Sequence, residues 1–224
     1  MFGTAETSDY DLRFTLLNTP VRVTPMFWVG TLLFGFMGGD RSFDAIAIWV
    51  VVVFVSIIWH EMGHALAFRW FGVRSHVVLY QMGGYAQPDR ALPTVPTIIT
   101  YAAGPLAGLL LGLLFYMIPG DISGPRWAYA RLQLLWVNIA WSVVNLAPIF
   151  PLDGGGIMRG ICLLVSPAHG YRTSLLISMV TGALVAYLFY DWGMTFSAFF
   201  FGVLGYYAFQ QWQESAPHSR GGSW

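Results

Sequence analysis

A long apolar stretch at residues 45–71 constrains the fold of this 224-residue chain more than any other feature of its sequence. The stretch contains the run IAIWVVVVFVSIIW, and a helix needs about 20 apolar residues to cross the hydrocarbon core of a membrane. The composition agrees, because 56% of the residues are hydrophobic and 10% are charged, against about 45–50% and about 25% in soluble domains. These values exclude an ordinary soluble enzyme and predict a polytopic membrane protein.

Net charge and cysteine content remove two further classes of protein. The eleven basic residues are all arginine and are balanced by eleven acids, so there is no basic surface field to attract nucleic acid. The single cysteine, Cys162, excludes an internal disulfide framework and a cysteine-rich zinc module. What remains is a membrane domain of several helices, with the lipid bilayer as its surroundings.

The apolar segments predict an all-α, polytopic membrane protein with about six transmembrane helices in a single domain over residues 1–224. The first candidate span is short, since a crossing helix needs at least about 17 residues. The last segment, 213–224, is polar and contains Gly, Ser and Pro, so we expect a flexible tail. The six candidate spans are 23–37, 45–71, 98–118, 128–146, 174–190 and 195–212.

The arginines predict the orientation of these spans. With six crossings, both termini and the second and fourth loops lie on one side, which carries eight arginines against three on the other. Cytoplasmic loops hold the excess of basic residues, so we expect both termini in the cytoplasm. The richer side has Arg13, Arg22, Arg69, Arg74, Arg90, Arg159, Arg172 and Arg220, and the other side has Arg41, Arg126 and Arg131.

The segment His60-Glu61-Met62-Gly63-His64 lies inside the strongest span. Residues four apart share one face of a helix, so both imidazoles can reach one metal ion. This H-E-x-x-H pattern typically binds zinc, with the Glu as general base. A carboxylate in a membrane helix costs about 2.5–3.5 kcal/mol and therefore indicates function. The alternative, that these side chains only make interhelical hydrogen bonds, leaves their spacing unexplained.

A zinc site of this type needs a third protein ligand, and Asp153 is the acid best placed to supply it. Asp153 follows Pro148 and Pro151, which end the fourth span, and it precedes three glycines that let the backbone turn. Two interpretations stay open for this residue: it is a ligand, or it caps a short helix expected at about 155–165. Beside the HEMGH segment, we favour the ligand.

HEMGH in one span and NLAPIFPLDGG, residues 145–155, at the end of a later one resemble the motifs of a known family. They are similar to those of the site-2 protease family of intramembrane zinc metalloproteases. The resemblance implies a three-helix catalytic core at about 45–165 and one Zn²⁺ per chain, held by His60, His64 and Asp153. With no room for a PDZ or CBS domain, the chain resembles a minimal form of the family.

Catalytic roles are implied by the same resemblance. A zinc-activated water would be the nucleophile, and Glu61 would accept its proton and pass it to the leaving amine. Asn145 would donate to the developing oxyanion, with a helix–helix hydrogen bond as its alternative role. The substrate class implied is a transmembrane protein with one helix locally unwound.

Two further segments are similar to features of the family. Residues 102–108, AAGPLAG, resemble its small-residue segment, although the family often has an Asn at the last of these positions. The glycines of this segment also predict close helix packing. A hairpin is implied at 77–86, with Gly83, Gly84 and Tyr85 beside the active site, where an edge strand can hold an extended substrate.

The favoured function is therefore an intramembrane zinc metalloprotease, with a membrane metal transporter or a catalytically inactive substrate-binding relative as alternatives. A transporter has no need of Glu61 between two zinc-binding His, and a di-iron oxygenase would need more than the five His present. His60 lies about 22 Å along its span in a hydrocarbon core about 30 Å thick, so we expect the active site toward the cytoplasmic side. Neither the substrate's sequence nor the oligomeric state follows from these residues.

Overall fold

The computed structural model describes residues 7–37, 41–81, 83–119 and 124–215. These residues form seven α-helices and four β-strands. The first elements are β1 (Leu12–Leu16), β2 (Thr19–Val23), α1 (Pro25–Met37), α2 (Phe43–Trp70), β3 (Ser75–Tyr80), β4 (Gly83–Pro88) and α3 (Thr94–Met117). They are followed by α4 (Pro125–Asn145), α5 (Asp153–Val165), α6 (Gly170–Asp191) and α7 (Thr195–Glu214).

The chain divides into two compact units, Met1–Val144 and Asn145–Trp224. The first unit holds the four strands and the helices up to α4, and the second holds α5, α6 and α7. A single domain over residues 1–224 therefore stays a prediction. α7 continues to Glu214, and the predicted tail beyond residue 215, with Arg220, lies outside the described residues.

A four-stranded sheet lies in the first unit, in the order β1-β2-β3-β4. β1 and β2 form an antiparallel hairpin whose turn residues, Leu17 and Asn18, have φ of 46° and 59°, as a two-residue turn of this kind requires. β3 pairs antiparallel with β4 and parallel with β2, where Val21 lies opposite Val77. The predicted hairpin at 77–86 is confirmed by β3 and β4.

The prediction of an all-α fold is wrong for the N-terminal strands. β1 reads LRFTL, which alternates apolar and polar residues, and β2 buries every second residue, Thr19, Val21 and Val23. Such alternation is typical of a strand, but it lies largely before the apolar segments from which the fold class was predicted. β2 is held in the sheet by β3, which follows two helices later. This non-local pairing adds to the local hairpin that β2 forms with β1.

The inner face of the sheet packs on α1 and α2 and forms the hydrophobic core of the first unit. Met62, in the middle of the HEMGH segment, belongs to this core and is 5% exposed. The sheet therefore packs directly on the turn of α2 that carries the two imidazoles. The core residues are Val21, Val23, Phe27, Ile57, Met62, Ala65, Val77 and Leu79.

Three helices in the described part of the chain are long and apolar enough to cross a membrane, namely α2, α3 and α6. α1 is a shorter apolar helix of 13 residues, about 20 Å long. It begins later than the predicted span at 23–37 because residue 23 ends β2. α4 and α7 overlap the predicted spans at 128–146 and 195–212, and the count of six crossings stays a prediction.

Small residues bring α2, α3 and α4 close together. A Cβ atom at Gly63 of α2 would lie 2.5 Å from the backbone oxygen of Ala103 on α3. A Cβ atom at Gly108 of α3 would lie 2.3 Å from Oγ of Ser142 on α4. Gly63 cannot accept a side chain because it meets backbone, and a side chain at Gly108 would displace the Ser142 hydroxyl. The predicted close packing at the AAGPLAG segment is therefore confirmed.

Candidate metal centre

His60 and His64 meet on one face of α2. This helix has 28 residues and begins after Ser42, whose side chain accepts a hydrogen bond from the backbone N–H of Ala45 at 3.3 Å. The Nε2 atoms of the two imidazoles are 3.2 Å apart, and the residues are 5% and 7% exposed. Two nitrogens that each lie about 2.0–2.1 Å from one tetrahedral zinc ion are about 3.3 Å apart. The pair therefore fits zinc.

The backbone carbonyl of Thr100, on α3, lies 2.7 Å from Nδ1 of His64. A carbonyl oxygen only accepts hydrogen bonds, so Nδ1 of His64 carries the proton and Nε2 keeps its lone pair. Metal-binding histidines are commonly held in the correct tautomer by such a contact. Sequence reasoning missed this role of Thr100, because a backbone carbonyl leaves no signal in the residue type.

Gly104, one turn after Thr100 on α3, leaves space for the imidazole of His64. A Cβ atom at Gly104 would lie 2.2 Å from Nε2 and 2.4 Å from Cε1 of that ring. Gly104 thus has a role besides helix packing, because the absence of a side chain at this position leaves room for the His64 imidazole.

Glu61 is 5% exposed and lies against β4. A Cβ atom at Gly84 would lie 2.8 Å from Cγ and 2.9 Å from Oε1 of Glu61. It would also lie 2.8 Å from Cδ2 of Leu79, the residue opposite Gly84 on β3. The hairpin predicted beside the active site therefore touches Glu61, and it does so at one of the three residues proposed from sequence.

The other two predicted hairpin residues have different surroundings. Gly83 has φ of 134°, and its nearest neighbour is the ring of Trp141, 3.8 Å from the position of a Cβ atom. Tyr85 packs edge-on against Tyr80, with ring centroids 5.7 Å apart. Burial raises the pKa of the Tyr80 phenol, and the negative charge of Glu61 raises it further.

Asp153 is the first residue of α5 and lies in the second unit. Leu152, the residue before α5, makes no side-chain capping bond, and Asp153 is the acid in the first turn of the helix. Both interpretations of Asp153, as a ligand and as a helix cap, stay predictions. A Cβ atom at Gly154 would lie 2.1 Å from the backbone oxygen of Leu146. The glycines after Asp153 therefore allow the preceding loop to fold back on the first turn of α5.

Zinc fits the donor set of these residues. Of the three predicted ligands, His60 and His64 lie on α2 in the first unit, and Asp153 lies on α5 in the second. Two neutral imidazoles and one carboxylate are ligands that zinc accepts at catalytic sites. Asn145 is the last residue of α4 and is half-buried, and its role stays a prediction.

Comparisons with known proteins point to one family. The pattern described as Peptidase family M50 matches residues 48–124, which include the HEMGH segment. The chain is 31% identical over 153 residues to zinc metalloprotease MJ0392 of Methanocaldococcus jannaschii. The aligned region covers 66% of this chain and 43% of that protein. The matched part is less than half the length of each curated relative.

The fold resembles that of a solved structure. The site-2 protease from Methanocaldococcus jannaschii superposes with a TM-score of 0.56 at 21% sequence identity. The match covers 96% of this chain and 99% of that one. At this level of identity the likeness concerns the fold alone.

Proposed function

Because this chain belongs to the site-2 protease family of zinc metalloproteases, we propose that it is an intramembrane endopeptidase. It hydrolyses peptide bonds within or near transmembrane segments of other membrane proteins. The observation that carries this proposal is the pair of buried imidazoles on α2, with Nε2 atoms 3.2 Å apart and a buried carboxylate next to them in sequence. Apolar helices of membrane-spanning length carry or contact these groups.

His60, His64 and Asp153 would hold one zinc ion per chain. Three protein ligands leave a fourth position open, as catalytic zinc sites require. When bound, zinc lowers the pKa of water and polarises a carbonyl group. The Thr100 carbonyl keeps the proton of His64 on Nδ1, so this imidazole presents a lone pair from Nε2.

Glu61 is the proposed general base. Its carboxylate accepts a proton from the attacking water and passes it to the leaving amine. Its neighbours favour this role, because β4 covers it and keeps it at 5% exposure.

β4 is the proposed binding strand for the substrate. It stands at the edge of the sheet, where an extended peptide can add by main-chain hydrogen bonds. The backbone of Gly84 packs against the side chain of Glu61, so a peptide that pairs with β4 would pass close to the proposed base. The amide of Asn145 would donate to the oxyanion that forms on the scissile carbonyl, and a helix–helix hydrogen bond is its alternative role.

The proposed orientation has both termini in the cytoplasm and the metal centre toward the cytoplasmic side. It rests on the excess of arginines on that side of the predicted topology. A reporter fused after Trp224 and another placed near Arg74 should both report a cytoplasmic location. Opposite answers from the two reporters would contradict the six-span topology.

The activity is tested on the full chain, purified in detergent and incubated with candidate single-span substrates with and without a zinc chelator. We expect cleavage that the chelator abolishes. Glu61→Gln should abolish cleavage while keeping one zinc per chain, and Glu214→Gln, an exposed acid at the end of α7, is the control. Loss of zinc in Glu61→Gln, or near-normal turnover, would contradict the assignment of the base.

The third ligand is tested by zinc analysis of Asp153→Ala. A ligand role predicts loss of zinc together with activity, and Asp191→Ala, at the end of α6, is the control for removal of a carboxylate. Full zinc occupancy in the folded Asp153→Ala protein would mean that another residue is the third ligand.

A further inference from the structure

Arg172 and Trp212 form a stacked pair at one end of the α6–α7 helix pair. Arg172 is the third residue of α6, and Trp212 is two residues before the end of α7. The guanidinium carbon of Arg172 lies 4.6 Å from the centroid of the Trp212 ring. α6 has 22 residues, about 33 Å, against a hydrocarbon core of about 30 Å. Its first turn therefore reaches the level of the lipid headgroups.

The stacked pair carries two hydrogen-bond donors that lack an acceptor. Nε of Arg172 and Nε1 of Trp212 are buried, and neither makes a hydrogen bond with the part of the chain that the structure describes. Stacking uses the faces of the guanidinium and the indole, whereas their N–H groups point outward in the plane of each group. An acceptor that reaches these N–H groups would therefore satisfy the donors of the pair.

The surroundings of this pair favour an anion as that acceptor. Arg159 of α5 stacks on Tyr171, the residue before Arg172, with 4.5 Å from the guanidinium carbon to the ring centroid. The first turn of α6 adds backbone N–H groups and the positive end of the helix dipole. The acid at the end of α7, Glu214, accepts a hydrogen bond from Gln211 at 3.0 Å and is not the acceptor of either buried N–H group.

We propose that Arg172 and Trp212 bind the phosphate group of an anionic phospholipid headgroup. Phosphate oxygens match the planar fork of a guanidinium, and an interfacial Trp presents its N–H at the same level. Basic pockets between transmembrane helices bind such headgroups. The site lies in the second unit and is independent of the proposed protease activity.

The test measures the melting temperature of the full-length protein, delipidated in dodecyl maltoside, on addition of dioleoylphosphatidylglycerol. We expect a rise of about 3–6 °C at ten times the dissociation constant and a smaller rise with dioleoylphosphatidylcholine. Arg172→Gln and Trp212→Phe should each lose at least half of the rise. Trp212→Phe keeps an aromatic ring under the guanidinium and removes only the N–H donor.

One control variant and one soluble ligand complete the experiment. Trp192→Phe, at the other end of α6, should keep most of the rise. Sodium phosphate, compared with sodium chloride at equal ionic strength, should produce no comparable rise.

An unchanged rise in both Arg172→Gln and Trp212→Phe would overturn the proposal. An equal rise with phosphatidylcholine, or a rise with sodium phosphate alone, would overturn the assignment to an anionic lipid. If Arg172→Gln does not fold, Trp212→Phe decides the question by itself.

Discussion

Asn138 of α4 donates a hydrogen bond from Nδ2 to Oγ of Ser56 on α2, across 2.9 Å. Both residues are almost fully buried, at 2% and 4% exposure. The same amide nitrogen donates to the backbone oxygen of Leu134, one turn earlier on α4. Since Ser56 precedes His60 by one turn of α2, this bond fixes α4 beside the turn that carries the first imidazole.

The Asn138–Ser56 bond should contribute measurably to stability. A double-mutant cycle with Ser56→Ala and Asn138→Ala isolates the pair from the bond to Leu134. We expect a coupling energy of about 0.6 kcal/mol, and at most about 1.7 kcal/mol, as for other hydrogen bonds between membrane helices. Equilibrium unfolding in mixed micelles measures it, and a coupling energy indistinguishable from zero would show that the two helices are held by packing alone.

Gly104→Ala should reduce zinc binding. The new methyl group would overlap the His64 ring, 2.2 Å from Nε2, and would push the imidazole out of place. We expect zinc content well below one per chain and loss of cleavage, measured by metal analysis and a substrate assay.

The control for this change is Gly202→Ala on α7, where the nearest neighbour lies 4.0 Å away. Alanine forms helices better than glycine by about 0.8–1.0 kcal/mol, so both variants should gain in helix propensity. Normal zinc content in Gly104→Ala would contradict the position of the imidazole described above.

Gly84→Ala should separate catalysis from metal binding. The added methyl group would meet Cγ and Oε1 of Glu61 at 2.8 and 2.9 Å, and this flexible side chain would move away from its position. We expect cleavage to fall at least about tenfold, within the range that a positioned base contributes, with zinc content unchanged. Unaltered turnover would mean that β4 does not position the carboxylate.

Asp11→Asn should reveal an acid-dependent contribution to stability. The Asp11 carboxylate accepts hydrogen bonds from the backbone N–H of Ser8 and from Arg22, both at 3.1 Å. The Ser8 bond lowers the pKa of Asp11 below its ordinary value of 3.8, burial opposes this, and Arg22 lowers the pKa further. A depressed pKa stabilises the fold above about pH 4, and this stabilisation is lost as the pH falls through the folded-state pKa.

The expected result is a melting temperature lower for Asp11→Asn than for the unaltered protein at pH 6. The difference should shrink below about pH 4. Acid also weakens metal binding, but that effect is common to both proteins and cancels in the difference. Asp9→Asn controls for the change in charge, and a pH-independent difference would exclude a role for the Asp11 carboxylate.

The imidazole pair was predictable because its geometry is local. A spacing of four residues on a helix brings His60 and His64 to one face whatever the rest of the chain does, and the structure confirms it with a separation of 3.2 Å. The third ligand depends on a residue about 90 positions away, where no periodicity connects the two segments. Asp153 as a ligand therefore stays a prediction.

Contacts that depend on non-local packing could not be predicted from the sequence. The glycines of the AAGPLAG segment indicate close packing, but their pattern does not show that Gly104 faces His64 while Gly108 faces Ser142. β2 also pairs with β3, from which two helices separate it, and its sequence does not indicate that partner. In both cases the partner is set by the tertiary fold rather than by neighbouring residues.

The parallel pairing of β2 with β3 has a consequence for the lipids around the first unit. Strands of five and six residues are about 20 Å long at most, so this sheet cannot span a bilayer and its ends lie on one side. If α2 crosses the membrane, α1, the other helix between β2 and β3, must therefore cross it in the opposite direction. Only then does the chain leave the sheet and return to it on the same side. α1, about 20 Å long, then meets a hydrocarbon core of about 30 Å. Hydrophobic mismatch of this size is relieved by local thinning of the bilayer, by snorkelling of flanking side chains or by oligomerisation. The 28-residue α2 has no such mismatch, so the lipids beside the two helices would experience different constraints.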